Sequence, residues 1–516
     1  MTSQILADAP GAPRASRREW FGLAVLVLPT LLLALDMTLL HLAAPHLSAD
    51  LQPTSSQLLW ILDIYGFMVA GFLITMGTLG DRIGRRRVLL AGALAFGLAS
   101  IAAAFSTSAG MLIVTRALLG VAGATLMPST LSLIRNMFHD ERERTLAITV
   151  WMTGFIVGSA IGPLVGGIML EFFWWGSLFL LGVPVMALLL LAGPLLLPEC
   201  REAQAGRLDI PSALLSIAAL LLIIYGLKDT ARDGFNLLAG MSVLAGFALA
   251  RVFVLRQRRL ADPMLDLALF RRRAFTVSVV SMLLAIFALS GAWLMIFQYL
   301  QGVAGLSALD AGLVMLPAAA LQTAASLLVP RIARRLKPSV FVSLGLVMAT
   351  VGLLVLLLVH GREGVALMVL GTVLLGVGIM PVMILGTDLV VGSVPPEKAG
   401  AAAATSETAT ELGMALGIAV IGSIGAAIYR QHLSEALPAG LTPAQAEIAS
   451  DTLGGALGVM QQLPTETAAA LLSAVQQGFA DALHANALIG ALIMAATALL
   501  TSVYLRQAKL EPAPAE

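Results

Sequence analysis

Four acidic residues, Asp36, Asp63, Glu407 and Glu411, stand inside stretches that otherwise read as hydrocarbon-spanning helix. A carboxylate at the centre of such a helix costs about 2.5–3.5 kcal/mol on insertion scales, so by default it marks an ion, proton or substrate pathway. Glu407 and Glu411 lie one helical turn apart on a shared face. Two like charges at that spacing repel in a low dielectric, so one of the pair is expected to hold a proton, as a proton-coupling site requires. Asp63 shares a face with Trp60 and Phe67, and Tyr65 follows two positions later. A carboxylate beside aromatic surface suits a lipophilic cation, through charge attraction and cation–π contact. The other reading of these residues is a tryptophan at the membrane interface beside a solvated aspartate. Arg116, Gly120 and Gly123 fall on one helical face. A buried arginine there needs a carboxylate or carbonyl partner, and Asp36 is the nearest candidate by topology. No other intramembrane base is expected, and His41 reads as a packing residue.

These groups must be positioned by membrane-spanning helices. The chain of 516 residues is 59% hydrophobic and only 12% charged, against about 25% charged in soluble domains. That composition excludes an ordinary soluble enzyme or a nucleic-acid binder and predicts an all-α polytopic membrane protein. A span needs about 20 apolar residues. Fourteen segments qualify: 20–44, 57–80, 88–106, 109–133, 145–171, 174–197, 210–227, 234–255, 274–298, 309–330, 339–359, 364–386, 399–428 and 485–505. Alternate loops are basic, carrying among others Arg82, Arg85–Arg87, Arg135, Arg271–Arg273, Arg335 and Lys337. The opposite set holds only Lys228, Arg232, Arg362 and Arg430. By the positive-inside rule this predicts an even number of spans, with both termini cytoplasmic. No cleavable signal peptide is expected. The single cysteine, Cys200, excludes an internal disulfide and a cysteine-rich metal site.

A weak internal repeat divides the chain. Gly77–Arg87 and Val329–Lys337 are both tight basic turns after the second span of a six-span unit. Aligning them gives a tail at 1–19, a six-helix bundle at 20–197 and a linker with an inserted two-helix hairpin at 198–273. A second six-helix bundle follows at 274–505, then a tail at 506–516. Transporters built from two such halves bind substrate near the midplane between them. Within the second bundle, 430–484 is predicted to form an acidic helical hairpin on the outer side. Thr442-Pro-Ala-Gln445 supplies a capping box for one helix start and Thr465 marks another. Ile448, Leu453, Leu457 and Met460 are expected to face Leu471, Leu472, Val475 and Phe479.

The turn Gly77-Thr-Leu-Gly80-Asp81-Arg82-Ile-Gly-Arg85-Arg-Arg carries a further signal. Small Gly77 and Gly80 permit close helix approach, Asp81 suits a helix N-terminus or a nearby arginine, and the arginines favour an anionic leaflet. This turn resembles the signature of the major facilitator superfamily. The fifth span, Gly154-x3-Gly158-x3-Gly162-Pro163-x2-Gly166, offers a smooth packing face with a proline kink. In the resembled superfamily, Gly158, Gly162 and Pro163 imply an antiporter, and the arginine and glycines around Arg116 imply proton relay. Together with the four acids, the chain resembles the fourteen-helix drug:proton antiporters, specifically their quaternary-ammonium and viologen exporters. Some relatives carry another carboxylate midway along the tenth span, where this chain has Gln322.

The resemblance implies proton-coupled efflux of lipophilic cations (quaternary ammonium compounds, biguanides, dyes, viologens) by alternating access. Asp36, Arg116, Glu407 and Glu411 would couple the proton. Asp63, Trp60, Tyr65 and the glutamate pair would bind substrate. No cofactor is expected beyond the proton motive force, and the expected partners are small cations, protons and lipid, in a monomer. The alternative on the same fold is export of an endogenous metabolite, peptide or siderophore. A membrane enzyme would need a convergent set of His, Cys or Ser residues, and the six histidines are scattered.

Overall fold

The computed structural model describes residues 14–201, 209–234, 236–260, 263–333, 335–394 and 399–505. The outer parts of both tails, linker residues 202–208 and Lys398 lie outside the described residues. The first half comprises α1 (Arg17–Leu51), α2 (Ser55–Ile83), α3 (Arg85–Ala104), α4 (Ala109–Met137), α5 (Glu141–Phe172), α6 (Ser177–Leu180) and α7 (Gly182–Leu196). The inserted pair is α8 (Ile210–Asp233) and α9 (Leu237–Gln257). The second half comprises α10 (Arg273–Gly302), α11 (Ala308–Ala333), α12 (Pro338–Leu356), α13 (Val365–Gly392), α14 (Ala399–Ala436), α15 (Pro443–Asp451), α16 (Leu453–Met460) and α17 (Thr465–Tyr504). Thirteen helices among the described residues are long and apolar enough to cross a membrane, with α6 and α7 joined as one, and bent α5 makes a fourteenth.

The sequence dictates these helices locally. Capping boxes open α1 (Ser16 with Glu19), α2 (Thr54 with Gln57) and α15 (Thr442 with Gln445). Each supplies side-chain acceptors to backbone N–H groups that lack intrahelical partners. Pro163 has no amide hydrogen and crowds the carbonyl four residues earlier. The stretches Leu146–Ser159 and Ile161–Phe172 meet at 44°, the bend falling just after Ser159, whose carbonyl Pro163 crowds. Glycines at every fourth position of α5 let α1 lie against it. A methyl on Gly154 would strike Val27, one on Gly158 the Leu31 carbonyl, one on Gly162 Thr38, and one on Gly166 Leu39.

In the first half α1 packs on α5 and α7, and α4 on α2 and α3; in the second, α10 packs on α14 and α17, and α12 on α13 and α17. The α8–α9 pair rests on α2 and α14. The halves meet chiefly through α2 with α14 and α5 with α11. Gly167 lies against Leu309, Gly312 against Pro163, Gly422 against Leu59, and Gln301 donates to the Leu42 carbonyl at 2.8 Å. These contacts use the second half of α1 and α5 and the first half of α2. They fall toward the end opposite the basic turns, so the molecule is closed at that end.

The 430–484 segment departs from a separate hairpin. α14 runs on to Ala436, and α17 is one 40-residue helix from Thr465 that contains the last span. The expected second arm is therefore the start of that span. Pro464, whose side chain cannot cap, precedes α17, so Thr465 begins the helix without capping it. The first arm is split into α15 and α16 by Thr452, which caps α16. α16 buries Leu453, Ala456 and Val459, while Leu457 and Met460 stay partly exposed. Its small residues turn toward α1 as well as α17, for a methyl on Gly454 would strike Ser48 and Pro45.

Candidate transport site

α1, α2, α4 and α14 converge on a cavity of about 20 Å³, room for about one water molecule. Its wall includes His41 of α1, Asp63, Tyr65 and Gly66 of α2, Arg116 of α4, and Glu411, Met414 and Ala415 of α14. Groups from both halves thus face one small space. A drug-sized ligand needs about 300 Å³ or more, so the site is contracted.

Arg116 is 3% exposed and places Nη1 2.6 Å from Asp36 Oδ2. Its Nε donates to the Ile61 carbonyl at 3.3 Å, and its guanidinium lies 4.7 Å from the Tyr65 ring centroid. Gly120 and Gly123 admit α2 to this contact: a methyl on Gly123 would come 2.9 Å from Tyr65 Oη. Asp36 also borders a second cavity of about 10 Å³ beside Leu119 and Phe179.

Asp63 is 1% exposed, which excludes the solvated reading. The expectation that Arg116 is the sole intramembrane base is also overturned. Lys228, assigned to a loop from sequence, is 2% exposed, and its Nζ lies 2.7 Å from Asp63 Oδ2 and 3.9 Å from the Trp60 ring centroid. Hydropathy truncates α8 at the first charged residues, but the helix continues to Asp233. Asp229 is occupied by Asn236 at 2.7 Å across the α8–α9 turn, and Lys228 turns inward. A small apolar cluster of Phe67, Ile224, Ala415 and Ala419 seats α8 there, with Trp60 packed against it. The two aromatics expected to receive a substrate cation therefore each carry one of the protein's own cations: Lys228 on Trp60 and Arg116 on Tyr65.

Glu411 is 5% exposed, and its Oε2 has no hydrogen-bond partner among the described residues. Glu407, one turn nearer the basic end, is partly exposed and lies outside the cavity wall. His41 is 8% exposed and lines the cavity, and its Nδ1 has no hydrogen-bond partner among the described residues, so it belongs to the site that sequence reading denied it. A lone histidine on an apolar helix carries no sequence signal beyond its own presence.

The basic turn is held locally. Asp81 pairs with Arg85 at 2.5 Å. The stem of Arg85, the first residue of α3, fills the space beside Gly80, and Gly77 faces α4 at Pro128. Arg82 is exposed. Gly84 has φ +118° and leaves room for the Glu199 carboxylate, which lies 3.6 Å from both Arg86 and Arg87. Glu199 was not anticipated, because it lies more than a hundred residues from its partners. Gln322 lies against Gly376 of α13, within the second half.

Two packed helical halves with a charged site between them define a polytopic membrane transporter. A family model described as Major Facilitator Superfamily matches residues 26–418, and the chain belongs to that superfamily. It is 43% identical over 505 residues to the Multidrug efflux pump LfrA of Mycolicibacterium smegmatis, covering 98% of this chain and 100% of that protein. It is 36% identical over 480 residues to the Methyl viologen resistance protein SmvA of Salmonella typhimurium, covering 90% and 93%. Among solved structures, a bacterial homologue of the human lysosomal transporter Spinster matches with a TM-score of 0.67 at 16% identity, covering 97% of this chain and 100% of that one. That likeness establishes the fold.

Proposed function

We propose that this transporter exports lipophilic cations in exchange for protons by alternating access, from the cytoplasm across a bacterial inner membrane with both termini inside. The observation that carries the reading is the charge balance at the cavity. Asp36 is matched by Arg116 and Asp63 by Lys228, while Glu411 has no basic partner among the described residues. An unmatched carboxylate between the halves invites either a proton or a cation, and competition between two ligands for one group is ordinary linkage. The two relatives, named as a multidrug efflux pump and a methyl viologen resistance protein, support a cationic, chemically broad substrate range. Asp36 and Arg116 would relay the proton, with Glu407 assisting Glu411, and each 100 mV of membrane potential contributes about 2.3 kcal/mol per charge moved.

The test is proton release from purified, detergent-solubilised protein on adding a quaternary ammonium or a lipophilic dication. Wild type should release protons and Glu411→Gln should not. Cation binding without release would exclude exchange at this carboxylate.

A further inference from the structure

The inserted α8–α9 pair has no counterpart in either half, yet it delivers a side chain to the site. Lys228 reaches Asp63 from the α8 side while the cavity wall meets the same carboxylate from the other, and neither Lys228 nor Trp60 borders the cavity. An ammonium 2.7 Å from a carboxylate and 3.9 Å over an indole reproduces the contacts a lipophilic cation would seek.

The pair is poorly supported for a purely structural one. Beyond their mutual contact, neither Asp63 oxygen nor the Lys228 ammonium has a hydrogen-bond partner among the described residues. A buried ion pair repays its desolvation only when further hydrogen bonds complete it. Lys228 lies five residues from the end of α8, within reach of the membrane interface. The seat of α8 is the α2–α14 junction between the halves, where Phe67 and Ile224 meet Ala415 and Ala419.

We propose that Lys228 is a tethered competitor of the substrate: it neutralises Asp63 in the empty site, and an incoming cation must displace it. This rests on the cation-export reading. Displacement breaks the ion-pair tie between α8 and α2 and leaves only their apolar contact, so the inserted pair registers occupancy of the site. Apparent affinity is lowered by the fraction of molecules in which Asp63 is held by Lys228.

The experiment measures tetraphenylphosphonium binding to purified full-length protein. Lys228→Met should bind about tenfold or more tightly, because the competing state is removed, and a neutral apolar dye should bind both proteins equally. Because Lys228→Met leaves Asp63 buried and unmatched, the wild-type protein supplies an independent measurement. The chain has four lysines, Lys228, Lys337, Lys398 and Lys509. Acetylation of Lys228, followed by mass spectrometry, should rise several-fold when tetraphenylphosphonium is added. Equal or weaker binding by a folded Lys228→Met, or unchanged Lys228 labelling, overturns the tethered competitor while cation binding by wild type leaves the export reading intact. Failure of both proteins to bind the cation overturns the two together.

Discussion

Arg116 and Asp36 hold each other at 2.6 Å with unequal burial, the arginine side chain 3% exposed and the aspartate 15%. The group left behind decides what breaking the pair costs. Asp36→Asn strands the more deeply buried charge, and it should lower stability by about 3 kcal/mol, the lower end for a broken buried pair, because Ile61 and Tyr65 still engage Arg116. Arg116→Met strands a carboxylate at the edge of a cavity and should cost less. The double variant should regain most of the loss and still not transport. Thermal unfolding in detergent measures all three, and additive losses would show that the two side chains do not act as a pair.

Gly158 and Gly162 set the distance between α1 and α5. Gly158→Val would drive a branched side chain into the Leu31 carbonyl of α1, where overpacking costs about 1–3 kcal/mol. Protein should still accumulate in the membrane, while ethidium efflux from cells falls at least tenfold. Normal efflux by this variant would mean that the helices separate freely.

At the basic turn, Gly84→Ala combines a positive φ with a collision against Glu199. The backbone strain alone is about 1–3 kcal/mol. Adding Glu199→Ala should remove the collision and leave the strain, so the unfolding temperature recovers only in part. Full recovery would locate the whole cost in the side-chain contact.

Cys200 lies beside the same turn, and its thiol is pushed above the ordinary value by burial and by the Glu199 carboxylate. The thiolate is the reactive form. Alkylation of this single cysteine should therefore be slow near neutrality and rise with pH through a midpoint above that of a free thiol. Glu199→Gln should move the midpoint down. A midpoint at or below the free-thiol value would contradict the assigned surroundings.

At the other end, Arg430 donates to Asp451 at 2.8 Å and also to Ser55 of α2. Arg430→Ala should raise amide exchange across 443–460 while leaving the core of α10 protected, since the anchor is local. Unchanged exchange would assign the anchoring to the apolar face of α16.

Much of this site was legible because charge inside a hydrocarbon span is expensive and therefore conspicuous. Asp36, Asp63, Arg116 and Glu411 stood out for that reason, and the glycine spacing in α5 announced a close helix–helix contact, though not its partner. Lys228 did not, because the same expense makes hydropathy end a span at the first charged residues, and Lys228-Asp229 looks like such an end. The clue was on the other helix: a carboxylate as deep as Asp63 needs a partner, and α2 has none at helical spacing. Asp481 and His484 misled similarly, lowering the hydropathy of α17 although no proline interrupts the helix between Thr465 and Tyr504.

That unbroken α17 has mechanical meaning. Its 40 residues span about 60 Å, twice the hydrocarbon thickness of about 30 Å, so about half of it stands clear of the lipid as a lever. A tilt of about 5° where it leaves the membrane would swing its free end by about 2–3 Å, and α16, wedged between that end and α1, would feel the stroke directly. A rigid binder raised against α15 and α16 would thus have purchase on the whole second half, a handle clear of the bilayer on a machine whose working parts are buried.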